Sequence, residues 1–223
     1  MKFSLENNNK VWIFVVLVAA LISFTFINAY PISILDEAKN AEAAREMLAS
    51  GTYWVPKFNG ELRTDKPPLH YYFMVLGFKL FGTTVLGARF FSALMGFITL
   101  LTTFGFARRY FGNAVAQTTL LILVGSFFFM QEFHLAVPDP YLIAFVTLGL
   151  FSFYHFYVTK KYLYLVLFYF FLALGALSKG PVAIALPGLS VGLFILLQKE
   201  LKNTFRYYPC LLYTSPSPRD FEA

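Results

Sequence analysis

Residues 11–30 read VWIFVVLVAALISFTFINAY, and residues 31–37 read PISILDE. As a helix, the first stretch rises about 30 Å, the thickness of a bilayer's hydrocarbon core. Pro31 ends it. Five residues later the chain turns sharply polar at Asp36-Glu37. Charge inside a bilayer is costly, so a carboxylate pair where a spanning helix leaves the membrane is placed to work at the lipid surface. The rest of the chain supports this reading. Of its 223 residues, 58% are hydrophobic, 20% aromatic and only 13% charged, against about 25% charged in a soluble domain. The fold class is therefore an all-α integral membrane protein.

The net charge of +6 does not indicate nucleic acid, because the basic residues do not form a soluble face. Arg108-Arg109, Lys160-Lys161, and Lys199 with Lys202 and Arg206 stand at the ends of apolar runs, where they set topology. A single cysteine, Cys210, excludes an internal disulfide and a cysteine metal cluster. The first apolar run exceeds the 7–15 residues of a signal-peptide core, and Ile27-Asn28-Ala29 is a poor cleavage site, so it reads as a retained span.

Hydropathy and basic ends give about six spans: Val11–Tyr30, Val85–Ala107, Ala114–Met130, Tyr141–Val158, Tyr162–Leu177 and Pro181–Leu197. With the N-terminus cytoplasmic, the basic pairs fall inside in succession, while Asp36, Asp65, Lys66, Asp139 and Lys179 fall outside. Leu69–Phe81 is apolar but too short to span, and is expected to lie in the interface until Gly82 breaks it. The first outer loop covers residues 31–70. Its bases (Lys39, Arg45, Lys57, Arg63, Lys66) are interleaved with six acids, a pattern suited to specific contacts. Within it, the alanines of Asp36–Ala49 favour a helix capped by Asp36 and ended by Ser50-Gly51. Ala41, Ala44 and Leu48 share a face expected to lie on the membrane, and Glu42 can pair with Arg45.

The chain divides into residues 1–206, a transmembrane unit, and residues 207–223, a tail. The tail run LLYTSPSPRD continues neither a span nor a tidy loop; it reads as non-native sequence, with a disordered Ser/Pro terminus as the alternative.

The candidate chemistry sits on the outer face. Asp36 is a candidate general base, with Glu37 beside it; helix capping explains an acid there equally well. In Asp65-Lys66-Pro67-Pro68 the prolines hold the chain extended, presenting Lys66 to a lipid phosphate. A lysine that snorkels before an interfacial helix is the plainer reading. Asp65 and His70 are a weak metal pair. Asp139, between Pro138 and Pro140, is a second candidate acid or a helix start. Lys179, in the Ser178-Lys179-Gly180-Pro181 turn, and Arg89, near the outer end of the second span, are further candidate phosphate contacts.

The run Asp36-Glu37-Ala38-Lys39-Asn40-Ala41-Glu42-Ala43-Ala44-Arg45-Glu46-Met47-Leu48 resembles the first outer loop of lipid-linked-sugar glycosyltransferases in the dolichyl-phosphate-mannose–protein mannosyltransferase superfamily. The likeness is strongest to the bacterial branch that includes the aminoarabinose transferases acting on lipid A. Asp65-Lys66-Pro67-Pro68-Leu69, Pro138-Asp139 and Ser178-Lys179-Gly180-Pro181 match in the same order, over about residues 10–200. The resemblance implies a GT-C fold, of which this chain would be the N-terminal part. It also implies a multi-pass protein of the bacterial plasma (inner) membrane with a periplasmic or extracellular active site. Such an enzyme moves a sugar from a polyprenyl-phosphate donor to a glycolipid, such as lipid A, or to a protein acceptor. By position, Asp36 and Asp139 would be the catalytic acids. Lys66, with Arg89 and Lys179, would hold the donor phosphate, Glu37 and Lys39 would contact substrate, and Asp65 would help hold a divalent metal. Two departures stand out: Asp65 where Glu is frequent, and Lys39 where Arg is usual. A lipid or amphipathic-solute transporter and a non-catalytic membrane subunit are the rival readings. The transporter predicts repeat symmetry or helices broken at the midplane, and neither is evident in the sequence.

Overall fold

The computed structural model describes residues 5–32 and 35–198. Within them the regular secondary structure is helical apart from one hairpin. The elements run α1 (Leu5–Phe24), α2 (Leu35–Ser50), β1 (Lys57–Phe58), β2 (Glu61–Leu62), α3 (Leu69–Phe81), α4 (Val85–Phe111), α5 (Asn113–Gly125), α6 (Phe127–Glu132), α7 (Asp139–Thr159), α8 (Tyr162–Lys179) and α9 (Val182–Leu197). Among the described residues, α4, α7 and α8 are long and apolar enough to cross a membrane. The apolar part of α1 and helices α3, α5 and α9 are shorter. Lys199, Lys202, Arg206, Cys210 and the tail 207–223 lie outside the described residues.

Helix α4 is the axis of the bundle, with α1, α3, α5 and α7 packed around it. Its side chains Phe91, Leu100 and Phe104 join Tyr141 and Phe145 of α7 in the main apolar core. α7 and α8 form a hairpin turned by Lys160, whose φ of 57° reverses the chain. α3 crosses α4 so closely that a methyl group on Gly77 would lie 2.0 Å from the Gly87 carbonyl oxygen. Only glycine permits that approach.

Four details depart from expectation. α1 stops at Phe24, and residues 25–30 are turns rather than the last part of a span. The chain leaves the helix at Phe26, whose φ of 62° lies in the left-handed region, and beyond it the carbonyls of Ile27, Tyr30 and Pro31 accept from the Arg89 guanidinium. The stretch 114–130 is two helices, because Ser126 is extended and its hydroxyl accepts from the Phe129 N–H to start α6. Ala41 and Ala44 of α2 are buried against Met74, Val75 and Phe78 of α3, so that face meets protein rather than lipid. Finally, Asn59-Gly60 turns a hairpin whose backbone N–H groups donate to the Glu46 carboxylate at 2.7 and 3.3 Å. Asn-Gly with positive φ at both positions is a strong hairpin signal, present in the sequence and unread there. The expected Glu42–Arg45 pair forms, with two hydrogen bonds of 2.8 and 2.7 Å.

Candidate active site

The polar residues meet at one end of the bundle, where α3, α4 and α7 begin and α8 ends. Helix α2 lies across this end, and its first turn points two carboxylates in different directions. Neither of the expected cap acids caps its helix. Asp36 is inside α2, with its side chain turned to Lys66, and Asp139 opens α7 with its carboxylate on Lys179.

Glu37 is fully buried and Arg89 only 4% exposed. The guanidinium donates from Nε to Glu37 Oε1 (2.7 Å) and from Nη2 to Glu37 Oε2 (2.8 Å). Its remaining N–H groups go to the carbonyls of Ile27, Tyr30 and Pro31. That uses all the donors an arginine has. Glu37 Oε1 also accepts from the Ala136 N–H at 2.8 Å. One ion pair thus ties α2, α4, the end of α1 and the loop before α7 together. Arg89 keeps no N–H for a phosphate in this arrangement. In this arrangement Arg89 and Glu37 fasten the segments of the site together.

Asp36 is different. Its side chain is 48% exposed, and its two oxygens accept from Lys66 Nζ at 2.5 and 2.6 Å. Lys66 lies in the Asp65–Pro68 segment that leads into α3; this segment bends rather than running extended as expected, and Pro68 already has helical backbone angles (φ −81°, ψ −15°) as the N-cap of α3. Arg63 stands behind. It donates from Nη2 to Asn40 Oδ1 (3.0 Å), ion-pairs with Asp65 (3.0 Å, outside hydrogen-bond geometry) and lies 4.0 Å from Asp36. Buried Asn40 also accepts from Tyr71 Oη and donates to the Ala136 carbonyl, both at 3.5 Å. Burial pushes the Tyr71 phenol up to about 12, so it remains a donor at neutral pH.

The second acid repeats the pattern. Asp139, at the start of α7, is bonded to Lys179, at the end of α8. Each charge has the sign its helix terminus favours. Glu132 lies near both, and burial, then the Asp139 charge, raises its carboxyl above the usual range. The two lysine turns adjoin: a Cβ on Gly180 would sit 3.9 Å from Pro67 Cγ. Asp36, Lys66, Asp139 and Lys179, which are far apart in sequence, are thus gathered on one side.

Lys39 is half-buried on α2, beside this group in sequence. Among the described residues no three His, Cys, Asp or Glu side chains are gathered for a metal ion. Asp65, paired with Arg63, does not supply a cation's ligand set by itself. A cavity of about 470 Å³ opens beside the Glu37–Arg89 pair, lined also by Thr25, Tyr30, Gln131 and His134.

Sequence reasoning overlooked Asn40, Arg63 and Glu132. Asn40 had a signal: it is a polar residue at helical spacing with Ala44 and Met47, on the face that turns out to be buried. Arg63 and Glu132 had none.

A family model described as dolichyl-phosphate-mannose-protein mannosyltransferase matches residues 65–215. The chain belongs to that family. A protein of Aquifex aeolicus (strain VF5) with no assigned function is 38% identical over 176 residues, covering 78% of this chain and 35% of its own length. The undecaprenyl phosphate-alpha-4-amino-4-deoxy-L-arabinose arabinosyl transferase of Edwardsiella ictaluri (strain 93-146) is 32% identical, covering 78% of this chain and 32% of that enzyme. The crystal structure of ArnT from Cupriavidus metallidurans bound to undecaprenyl phosphate superposes with a TM-score of 0.79 at 26% identity, covering 92% of this chain and 38% of that one. Its apo state gives a TM-score of 0.83. The chain therefore spans about a third of the length of the curated relatives it matches.

Proposed function

We propose that the full-length gene product carrying this sequence transfers a sugar from a polyprenyl-phosphate donor to a glycolipid or protein acceptor at the outer face of a bacterial plasma membrane. The described helices would form part of a multi-span GT-C domain with its N-terminus in the cytoplasm. The observation that carries this reading is the convergence of two carboxylates, Asp36 and Asp139, each held by a lysine, on adjoining turns. Family membership and the relative solved with undecaprenyl phosphate support the same chemistry.

The residues fit the steps. The acceptor oxygen attacks the anomeric carbon, the carbon–oxygen bond to the donor phosphate breaks, and a carboxylate orients the acceptor and takes its proton. Asp36 is the residue for that role. Negative charge grows on the leaving polyprenyl phosphate, and Lys66, with Lys179, stabilises it. In the resting structure Lys66 is occupied by Asp36. An arriving phosphate competes for the ammonium and frees the carboxylate, so donor binding prepares the acceptor's partner. Asp139 and Glu132 line the neighbouring turn, Lys39 contacts substrate from α2, and Glu37 with Arg89 keeps α2 in place.

The test is transfer of label from radiolabelled polyprenyl-phosphate sugars in membranes holding the full-length gene product. Label passing to an extractable glycolipid or to protein supports the reading and identifies the acceptor class. No transfer across several donor sugars, with folded protein present, overturns it.

A further inference from the structure

His70 sits on the first turn of α3, completely buried, and neither ring nitrogen has a hydrogen-bond partner among the described residues. The Pro67 carbonyl is near the ring without meeting hydrogen-bond geometry. The ring leans on Tyr71, with centroids 3.8 Å apart. Burying a polar ring unpaired is unfavourable, and a phenylalanine would fill the space without that penalty. The charged groups that act on the ring are Lys66, Arg63 and Asp36, the same side chains that bound the proposed phosphate site. Burial, then Lys66, holds the imidazole's pKa down at about 3. At neutral pH the ring is therefore uncharged and carries one N–H and one lone pair.

We infer that His70 is a positioning residue for Lys66: when an anionic lipid phosphate draws the ammonium off Asp36, the His70 lone pair accepts one Lys66 N–H and fixes the charge against the phosphate. This rests on the proposed donor chemistry. A lysine has three N–H groups, of which Asp36 engages two-fold geometry in the resting state. In the loaded state the phosphate and the imidazole take its place. The imidazole must be neutral, since an imidazolium has no lone pair and repels an ammonium. That explains why the ring is placed where protonation is disfavoured, and why an unpaired polar group is retained four residues after Lys66.

The experiment uses full-length protein in detergent, with undecaprenyl phosphate as the binding probe and donor-dependent transfer as the second readout. His70→Phe is expected to weaken undecaprenyl phosphate binding and raise the donor KM about tenfold, the worth of one charge-assisted hydrogen bond, and to leave the acceptor KM unchanged. His70→Gln, which keeps an acceptor and a donor, recovers most of the loss. In a Lys66→Ala background, His70→Phe has no further effect on probe binding. Donor affinity unchanged in His70→Phe, equal loss in Phe and Gln variants, or additive losses with Lys66→Ala would each overturn the inference. If His70→Phe does not fold, His70→Met against His70→Gln gives the same contrast. Absence of transfer by the unaltered protein would overturn the transferase reading alone, because probe binding still reports on His70.

Discussion

Asp36 and Glu37 are consecutive residues in one helical turn, and their surroundings differ in almost every respect. Glu37 is fully buried, receives two bonds from a saturated arginine and a third from a backbone amide, and joins four parts of the chain. Asp36 is half-exposed and held by one lysine that is itself only partly buried. A buried, fully bonded ion pair builds the site, and a half-open one beside it is left able to exchange partners. The same contrast separates Arg89 from Lys66. Arg89 has its donors fixed in a planar fork, whereas Lys66 is a point charge on a flexible stem that can turn to another anion.

The largest effect is expected from cutting the rivet. Glu37→Gln or Arg89→Leu leaves a buried charge uncompensated and is expected to cost about 3–5 kcal/mol, read as loss of folded full-length protein in membranes. Changing both to leucine should be milder than either alone, and equal or greater loss in the double variant would break the structural half of the comparison. Next is Lys66→Ala, which leaves the fold intact and removes stabilisation of the leaving phosphate. Transfer is expected to fall about 10²–10³-fold, with the thermal midpoint little changed.

A pH experiment sharpens the contrast. The His70 imidazole has a pKa of about 3 in the fold, against about 6.5 in an unfolded chain. Between those values the unfolded chain binds a proton that the folded one does not. Stability from this group is therefore fully present above about pH 6.5 and is lost as pH falls toward 3. The thermal midpoint should drop more steeply between pH 6.5 and 4.5 in the unaltered protein than in His70→Gln; parallel curves would show that the ring is not held neutral. The smallest effect is Arg45→Ala. Its pair with Glu42 is exposed and local, and the thermal midpoint should stay within the error of the measurement.

What was legible in the sequence follows the same division between local and distant causes. Helix α3 appears at Leu69–Phe81, as expected, because Pro67-Pro68 and Gly82 punctuate it from within the chain. The helix at 35–50 was legible from its alanines. The end of α1 was not: no local pattern marks the left-handed turn at Phe26, and the carbonyls after it meet Arg89, about sixty positions away. The five hydrogen bonds of Arg89 were hidden for the same reason: its four partners, Glu37, Ile27, Tyr30 and Pro31, come from segments that only the fold assembles. Lys66 and Asp36 were singled out separately, by their proline frame and their place at the membrane exit. Their contact with each other depends on the long-range packing of α2 against α3, which no local pattern states. The Asn59-Gly60 hairpin is the opposite case, a local signal that was available and passed over.

The most direct test compares Asp36→Asn with the unaltered full-length protein, at matched amounts in membranes, for transfer of label from a polyprenyl-phosphate sugar. The account predicts that the variant folds and stays in the membrane while transfer falls by about 10²–10⁴-fold, the usual contribution of a positioned general base. Transfer equal to that of the unaltered protein would reduce Asp36 to a partner for Lys66 and contradict the division between a carboxylate that acts and one that builds.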